Sequence, residues 1–296
     1  GDLLRYKISF VSDFYKTKPD FKSFFVENDI VLLENLRQYK EEKENKEDFA
    51  KHLASFADYY VNEAFSSSHR EHASIVGIPK FLPSFAGFVF QKEIENLSLT
   101  FKPPHPFVFI LGGAKFETKL PLIEKFFPLA DTVFIGGAIA NDFLKAKGYP
   151  VGISEVSDTK LNLEKLEEEK MILPVDVVVS NNNEERIVFS EHVKDDEYIY
   201  DAGPETLKIL EEKMKDSAFI LWNGPLGNYE KGFVQGTTEL ARIISNNKAK
   251  SVIGGGDTVA CALKNFKSED FSFLSTGGGA MLQFLSDGTL PGIEAL

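Results

Sequence analysis

Five apolar runs in this chain end in glycine in the same manner. FVFILGGAK reaches Gly112-Gly113, TVFIGGA reaches Gly136-Gly137, FILWNGP reaches Asn223-Gly224, SVIGGGD reaches Gly254 to Gly256, and FLSTGGGA reaches Gly277 to Gly279. Short apolar runs closed by glycine have the length of buried strands, and amphipathic stretches separate them. Strand alternating with helix pairs in parallel through right-handed crossovers, so the pattern predicts an open α/β sheet with helices on both faces. In such a sheet the carboxyl ends of the strands border the ligand crevice. Glycine there lets the backbone turn sharply and come close to a ligand, while the helix that follows offers unpaired N–H groups to an anion. Five such junctions along one edge predict a phosphate-bearing ligand.

The remaining composition narrows the class. At 296 residues the chain has the length of about two domains. LSLTFKPPHP, with Pro103, Pro104 and Pro106, bars both helix and central strand and marks the expected boundary. The first part carries strand-like runs at Lys7 to Val11, Ile30 to Leu33 and Tyr59 to Val61. From Asn45, Phe49, Leu53, Phe56 and Ala57 fall at helical spacing, and the charged stretch Tyr39 to Glu47 reads as a solvated loop or helix start. The 27 Phe read as core filler. A formal net charge of -12 has the wrong sign for a nucleic-acid partner, although a local cluster of Arg and Lys still suits a small anion. The one cysteine, Cys261, permits no intramolecular disulfide. No apolar run is long enough to span a membrane and no signal peptide is evident, which predicts a cytoplasmic protein.

Neither a GxxxxGK[ST] loop nor a strand followed by GxGxxG and a distant acidic residue occurs, so P-loop and dinucleotide sites are disfavoured. Phosphoryl transfer needs cations over the transferred group and a divalent ion across the phosphates. Lys115 and Lys119 lie four apart after Gly112-Gly113, a spacing that predicts both ammonium groups on one helix face above the crevice. Asp257 either caps its helix or reaches a magnesium ion, and Thr258 follows it. Arg37 and the pair His69-Arg70 follow strand ends in the first part and suit a small phosphorylated acid, whereas His72 is left structural or unassigned.

LLENLR, VNEAF followed by SHREHAS, LGGAKFETK, FIGGAIANDFL, LPVD, DAGPE, LWNGPLGNYE, GGGDT, and STGGGA followed by LPGIEAL resemble, in order and nearly in wording, the phosphoglycerate kinase family. The resemblance runs from about Ile30 to the last residue. It implies two doubly wound parallel-sheet, Rossmann-like α/β domains with a cleft between them. These would be a partial 3-phosphoglycerate domain over 1-96, a nucleotide domain over 97-280, and a tail over 281-296 returning to the first. It implies reversible phosphoryl transfer between ATP and 3-phosphoglycerate in glycolysis, magnesium with ATP or ADP, and a monomer with no nucleic-acid or membrane partner.

By the same resemblance Lys115 supports the transferred phosphoryl group together with Gly278 and Gly279, and Gly277 opens that loop. Lys119, Gly256, Asp257 and Thr258 meet the nucleotide phosphates, with Asp257 on the metal. Gly113, Gly137, Asn223, Pro225 and Glu230 surround the adenosine, Glu230 on the ribose, and Arg37 and Arg70 hold the phosphoglycerate. NEAFSSSHREH and Tyr229 depart mildly from the family's wording. The family's opening Asp-Phe-Asn strand, an arginine after it, and a Ser-His-x-Gly-Arg-Pro segment have no counterpart, so the first domain is expected to be incomplete. The alternative expectation is a non-catalytic or partner-dependent nucleotide-binding fragment.

Overall fold

A computed structural model describes residues 6–17, 29–158, 168–181 and 184–296. The chain divides into two compact units, residues 1–92 with 289–296, and residues 93–288.

In the first unit, β1 (Ile8–Val11) pairs in parallel with β2 (Ile30–Leu33), and β3 (Tyr60–Asn62) with β4 (Ser84–Ala86). Among the described residues, helices α1 (Phe14–Thr17), α2 (Lys40–Lys43) and α3 (Glu47–Ala54) accompany them. Side chains alternate between the faces of a strand. Val11, Val31, Leu33 and Tyr60 join Phe14 and the Phe49, Ala50 and Leu53 face of α3 in one core. The outward set includes the facing pair Phe10 and Leu32, each 56% exposed. The helix stops at Ala54, short of its expected length. Ser55 then closes the turn onto the His52 carbonyl, so Phe56 reaches the core from outside the helix. The charged stretch is not wholly solvated either. Glu42 is 2% exposed and accepts from the Ser74 amide at 2.9 Å and hydroxyl at 2.6 Å.

Helix α4 (Phe88–Ser98) carries the chain into the second unit. There the strands are β5 (Phe107–Leu111), β6 (Thr132–Ile135), β7 (Met171–Ile172), β8 (Asp176–Ser180), β9 (Glu185–Phe189), β10 (Tyr198–Ala202), β11 (Phe219–Asn223), β12 (Lys250–Gly254) and β13 (Phe273–Leu274). The helices are α5 (Phe116–Phe126), α6 (Ile139–Ala146), α7 (Pro204–Met214), α8 (Gln235–Ser245), α9 (Gly256–Asn265) and α10 (Gly279–Asp287). Short α11 (Pro291–Glu294) belongs to the first unit, where the Gly292 amide donates to the Ser68 carbonyl.

Six strands form a parallel sheet in the order β13-β12-β11-β5-β6-β7. Central strands β5 and β11 are buried at every residue, as a sheet covered on both faces requires. On one face Val108, Ile110, Ile220, Trp222 and Ile253 pack with Leu207, Leu210, Leu240 and Ala262 of α7, α8 and α9. On the other, the Phe107 and Phe109 rings meet Phe126 of α5. The open α/β architecture read from the sequence is therefore present. It is joined by an element outside that reading, an antiparallel sheet in the order β10-β8-β9. Asp176 at the start of β8 caps α7, accepting from the Glu205 and Thr206 amides at 3.0 and 2.8 Å. Among the described residues no helix is long and apolar enough to cross a membrane.

Candidate functional site

The strand order reverses beside β5. The chain leaves it toward β6 and β7 on one side and returns to β11, β12 and β13 on the other. Crossovers diverging in this way leave a crevice at the carboxyl ends of the strands. A cavity of about 730 Å³ lies there.

Its rim is made of backbone. The Gly112 amide donates to the Asn223 carbonyl at 2.8 Å, and the Gly113 amide to the Pro225 carbonyl at 2.7 Å. Gly137 has φ +62 and Gly224 φ +93, and a Cβ on either would collide with the backbone of Gly112 or Gly113. Glycine is thus required twice over, by backbone conformation and by close approach. The Trp222 indole donates to the Gly224 carbonyl at 2.8 Å and fixes the turn that carries Asn223.

Lys115 and Lys119 both line the cavity, but not as neighbours on one helix face. Lys115 is the residue before α5, left-handed at φ +64, and exposed. Non-glycine residues hold that conformation at a cost of about 1–3 kcal/mol, and such strain gathers at working sites. Lys119 is helical and only 7% exposed, its ammonium donating to Asn223 Oδ1. Burial pulls its pKa from 10.5 down to about 8.

The two alternatives for Asp257 separate. No side chain caps α9, which starts after Gly255 at φ +101, so the capping role is not realised. Asp257 lies exposed in the first helical turn on the cavity wall. Thr258 is fully buried, and its hydroxyl has no hydrogen-bond partner. Gly113, Gly137, Asn223, Pro225, Glu230, Gly256 and Gly278 line the same cavity. Gly277 and Gly279 flank Gly278 in the chain without lining it. Buried Glu93 holds this glycine loop from below. Its carboxylate accepts from the Ser275 hydroxyl at 2.7 Å and from the Thr276 amide and hydroxyl at 2.8 and 2.9 Å.

Other lining groups escaped the sequence reading. Asp201, 3% exposed, accepts from the Gly236 and Ala202 amides, each at 2.9 Å. Burial still lifts its carboxyl to about 6. The Lys231 ammonium lies over the Tyr198 and Tyr200 rings at 5.4 and 5.2 Å. The register of β10 shifts between Ile199 and Asp201, so strand alternation over YIYDA gave no signal for these residues.

In the first unit the Arg37 guanidinium donates to the Ser67 hydroxyl at 2.8 Å, tying the loop after β2 to the segment carrying His69 and Arg70. Burial, followed by the charge of Arg70, lowers the His69 pKa. His72, left unassigned by the sequence, is also lowered by burial, against an opposing pull from Glu42 at 3.8 Å, and the charges of Arg37 and Arg70 lower it further.

An open parallel sheet with helices on both faces and a glycine-edged cavity at its switch point is the architecture of the nucleotide-type α/β proteins. Comparison with known proteins sharpens that class. The model of the phosphoglycerate kinase family matches residues 1–288. A phosphoglycerate kinase of Finegoldia magna is 42% identical over 281 residues, covering 90% of this chain and 71% of that protein. One from Wolbachia pipientis is 40% identical over 315 aligned positions, covering 100% and 79%. The crystal structure of phosphoglycerate kinase from Pyrococcus horikoshii superposes with a TM-score of 0.85 at 30% identity, covering 98% of this chain and 78% of that one. That from Coxiella burnetii gives 0.82 at 34%, covering 97% and 76%. The chain belongs to the phosphoglycerate kinase family, phosphotransferases that move a phosphoryl group reversibly between ATP and 3-phosphoglycerate in glycolysis.

Proposed function

We propose that residues 93–288 bind the nucleotide and that residues 1–92 with 289–296 bind 3-phosphoglycerate, in a monomer working in the cytoplasm. One observation carries the reading: Lys115, Lys119, Asp257 and the amino end of α9 converge on a single cavity. Phosphoryl transfer asks little covalent chemistry of a protein and much positive charge, fixed in place. Lys115 supports the transferred phosphoryl group. Lys119, Gly256, Thr258 and the Gly277 to Gly279 loop meet the nucleotide phosphates, and Glu93 keeps that loop in position. Gly113, Gly137, Asn223 and Pro225 border the adenosine, and Glu230 accepts from the ribose hydroxyls. Arg37 and Arg70 grip the phosphate and carboxylate of 3-phosphoglycerate through bidentate bonds.

The donor set suits magnesium. Among the described residues no three His, Cys, Asp or Glu side chains gather as a metal cage, while Asp257 stands exposed on the cavity with no capping bond to satisfy. Magnesium is commonly held by one or two carboxylates with phosphate oxygens and water making up the rest. When bound, it neutralises the phosphate charge.

Steady-state turnover of 3-phosphoglycerate with Mg-ATP, coupled to reduction of the product, tests the assignment. Lys115→Ala is expected to abolish turnover while nucleotide binding is retained; unchanged turnover removes Lys115 from the mechanism. The exposed Phe10 and Leu32 pair favours a second reading, nucleotide binding without turnover, because parallel sheets are ordinarily covered on both faces. ADP binding by an unmodified chain that does not turn over would support it.

A further inference from the structure

Glu230 rides on a turn that is closed within itself. The Lys231 amide donates to the Asn228 carbonyl and to Asn228 Oδ1, each at 3.1 Å. The Phe233 amide returns to the same carbonyl at 3.1 Å, and Gly232 makes the reversal at φ +87. A turn tied in this way moves as one piece, so the place of Glu230 is set by whatever holds the turn to the sheet.

On one side the turn faces the large cavity, which Tyr229, Glu230 and Lys231 line. On the other side, where close-packed side chains ordinarily back a turn, there is a second cavity of about 390 Å³. Gly232, Phe233 and Val234 line it, with Arg186 and Ile187 of β9 across from them. The turn is a partition between two spaces, and core packing does not fix its position.

Tyr200 of β10 does. At the entry to the turn its carbonyl accepts from the Asn228 amide at 2.8 Å. At the exit its ring lies flat on the Phe233 ring, with centroids 4.3 Å apart and planes 11° from parallel. Between these points the Lys231 ammonium stands over the same ring at 5.2 Å, a contact that counts for less because Lys231 is exposed. Entry is thus held by main chain and exit by one aromatic stack. Phe233 faces the second cavity and does not line the first.

We propose that Phe233 is a positioning residue: stacked on Tyr200, it holds the Glu230 carboxylate where that group accepts from the ribose hydroxyls, without touching the ligand itself. The inference rests on the nucleotide reading of the cavity and on the ribose role of Glu230.

Calorimetric titration of the intact chain with ADP and with 2′,3′-dideoxyadenosine diphosphate tests the proposal. The two share base and phosphates, so their affinity ratio isolates the ribose hydroxyls, and a merely structural loss would weaken both alike. ADP is expected to bind about tenfold more tightly, as suits hydrogen bonds to a charged acceptor. Phe233→Met keeps the volume without the flat ring and is expected to bring the ratio within about twofold, whereas Phe233→Tyr is expected to preserve it. Tyr200→Leu removes the other ring and is expected to match Phe233→Met, which keeps the test open if either variant fails to fold. In a Glu230→Gln background, where the ratio is already lost, Phe233→Met is expected to change it no further. A ratio that persists in Phe233→Met or Tyr200→Leu would overturn the proposal. So would equal affinities in an unmodified chain that binds ADP, which would leave the nucleotide site standing. Failure of the unmodified chain to bind either compound would overturn the nucleotide reading together with this inference.

Discussion

Lys119 offers a quantitative test of the site, because its environment in the free protein differs sharply from the one a phosphate would create. Buried against an amide with no carboxylate to offset the loss of water, its ammonium has a pKa of about 8. A phosphate oxygen at the ammonium would restore a value near the ordinary 10.5. The difference, about 2.5 units, is worth about 3 kcal/mol between the two protonation states. The sign follows from linkage: binding takes up a proton wherever the free amine is neutral and the bound one charged, so affinity falls as pH rises through the window from 8 to 10.5. At pH 9 only about a tenth of the free chains carry the charge, and ADP is expected to bind about tenfold more weakly than at pH 7. The nucleotide phosphates do not confuse the measurement, since their last ionisation lies near pH 6. Folding runs the other way. A lowered folded pKa means the unfolded chain binds more protons, so stability of the free protein rises with pH across the same window. Calorimetric titration of ADP without magnesium at pH 7, 8 and 9, in two buffers of different ionisation enthalpy, reads affinity and proton uptake together. Lys119→Arg, whose charge does not titrate, is expected to flatten the profile. A flat profile with no proton uptake in the unmodified chain would refute the reasoning.

Other parts of the site make separate expectations. Asp257→Ala removes no capping bond, so its stability is expected to stay within about 0.5 kcal/mol of the unmodified chain. Its nucleotide affinity should fall only when magnesium is present, measured by titration with and without a chelator. Gly137→Ala forces a side chain to φ +62 against the Gly113 backbone and is expected to cost more than about 3 kcal/mol in urea unfolding. The raised pKa of Asp201, about 6, means the folded chain binds its proton more readily than the unfolded one. Stability from this group therefore grows as pH falls from above 6 toward 3.8, and Asp201→Asn should compare worse with the unmodified chain by about 1.4 kcal/mol more at pH 5 than at pH 7.5, by denaturant unfolding at each pH.

The parallel sheet and its glycine edge were legible because their causes are local: apolar runs of strand length, and turns whose backbone leaves no room for a Cβ. The cavity's main residues were legible for the same reason, since strand ends collect at the switch point whatever fills the helices. Other features depend on context that spacing does not record. Lys115 and Lys119 satisfy the four-residue rule on paper, but Lys115 adopts a left-handed backbone that nothing in GAKFETK demands. Glu42 sits in a run of charges and is buried because Ser74, 32 residues away, donates hydrogen bonds to both of its carboxylate oxygens. The antiparallel sheet did leave a trace. DVVVS and ERIVF are β-rich runs separated only by a short polar stretch, too short for the crossover that a parallel pair needs.

The contacts that join Gly112, Gly113, Asn223 and Pro225 run from main chain to main chain, whereas Leu144, Pro174 and Tyr198 line the same cavity without taking part in them. The two sets are therefore open to change in different ways. Substitutions at Leu144, Pro174 or Tyr198 can reshape what the cavity admits while leaving the anchoring edge as it is. At the glycine edge almost any replacement displaces the scaffold itself. A mutational scan across the cavity should accordingly divide between the two sets, with altered ligand preference in one and loss of folded protein in the other.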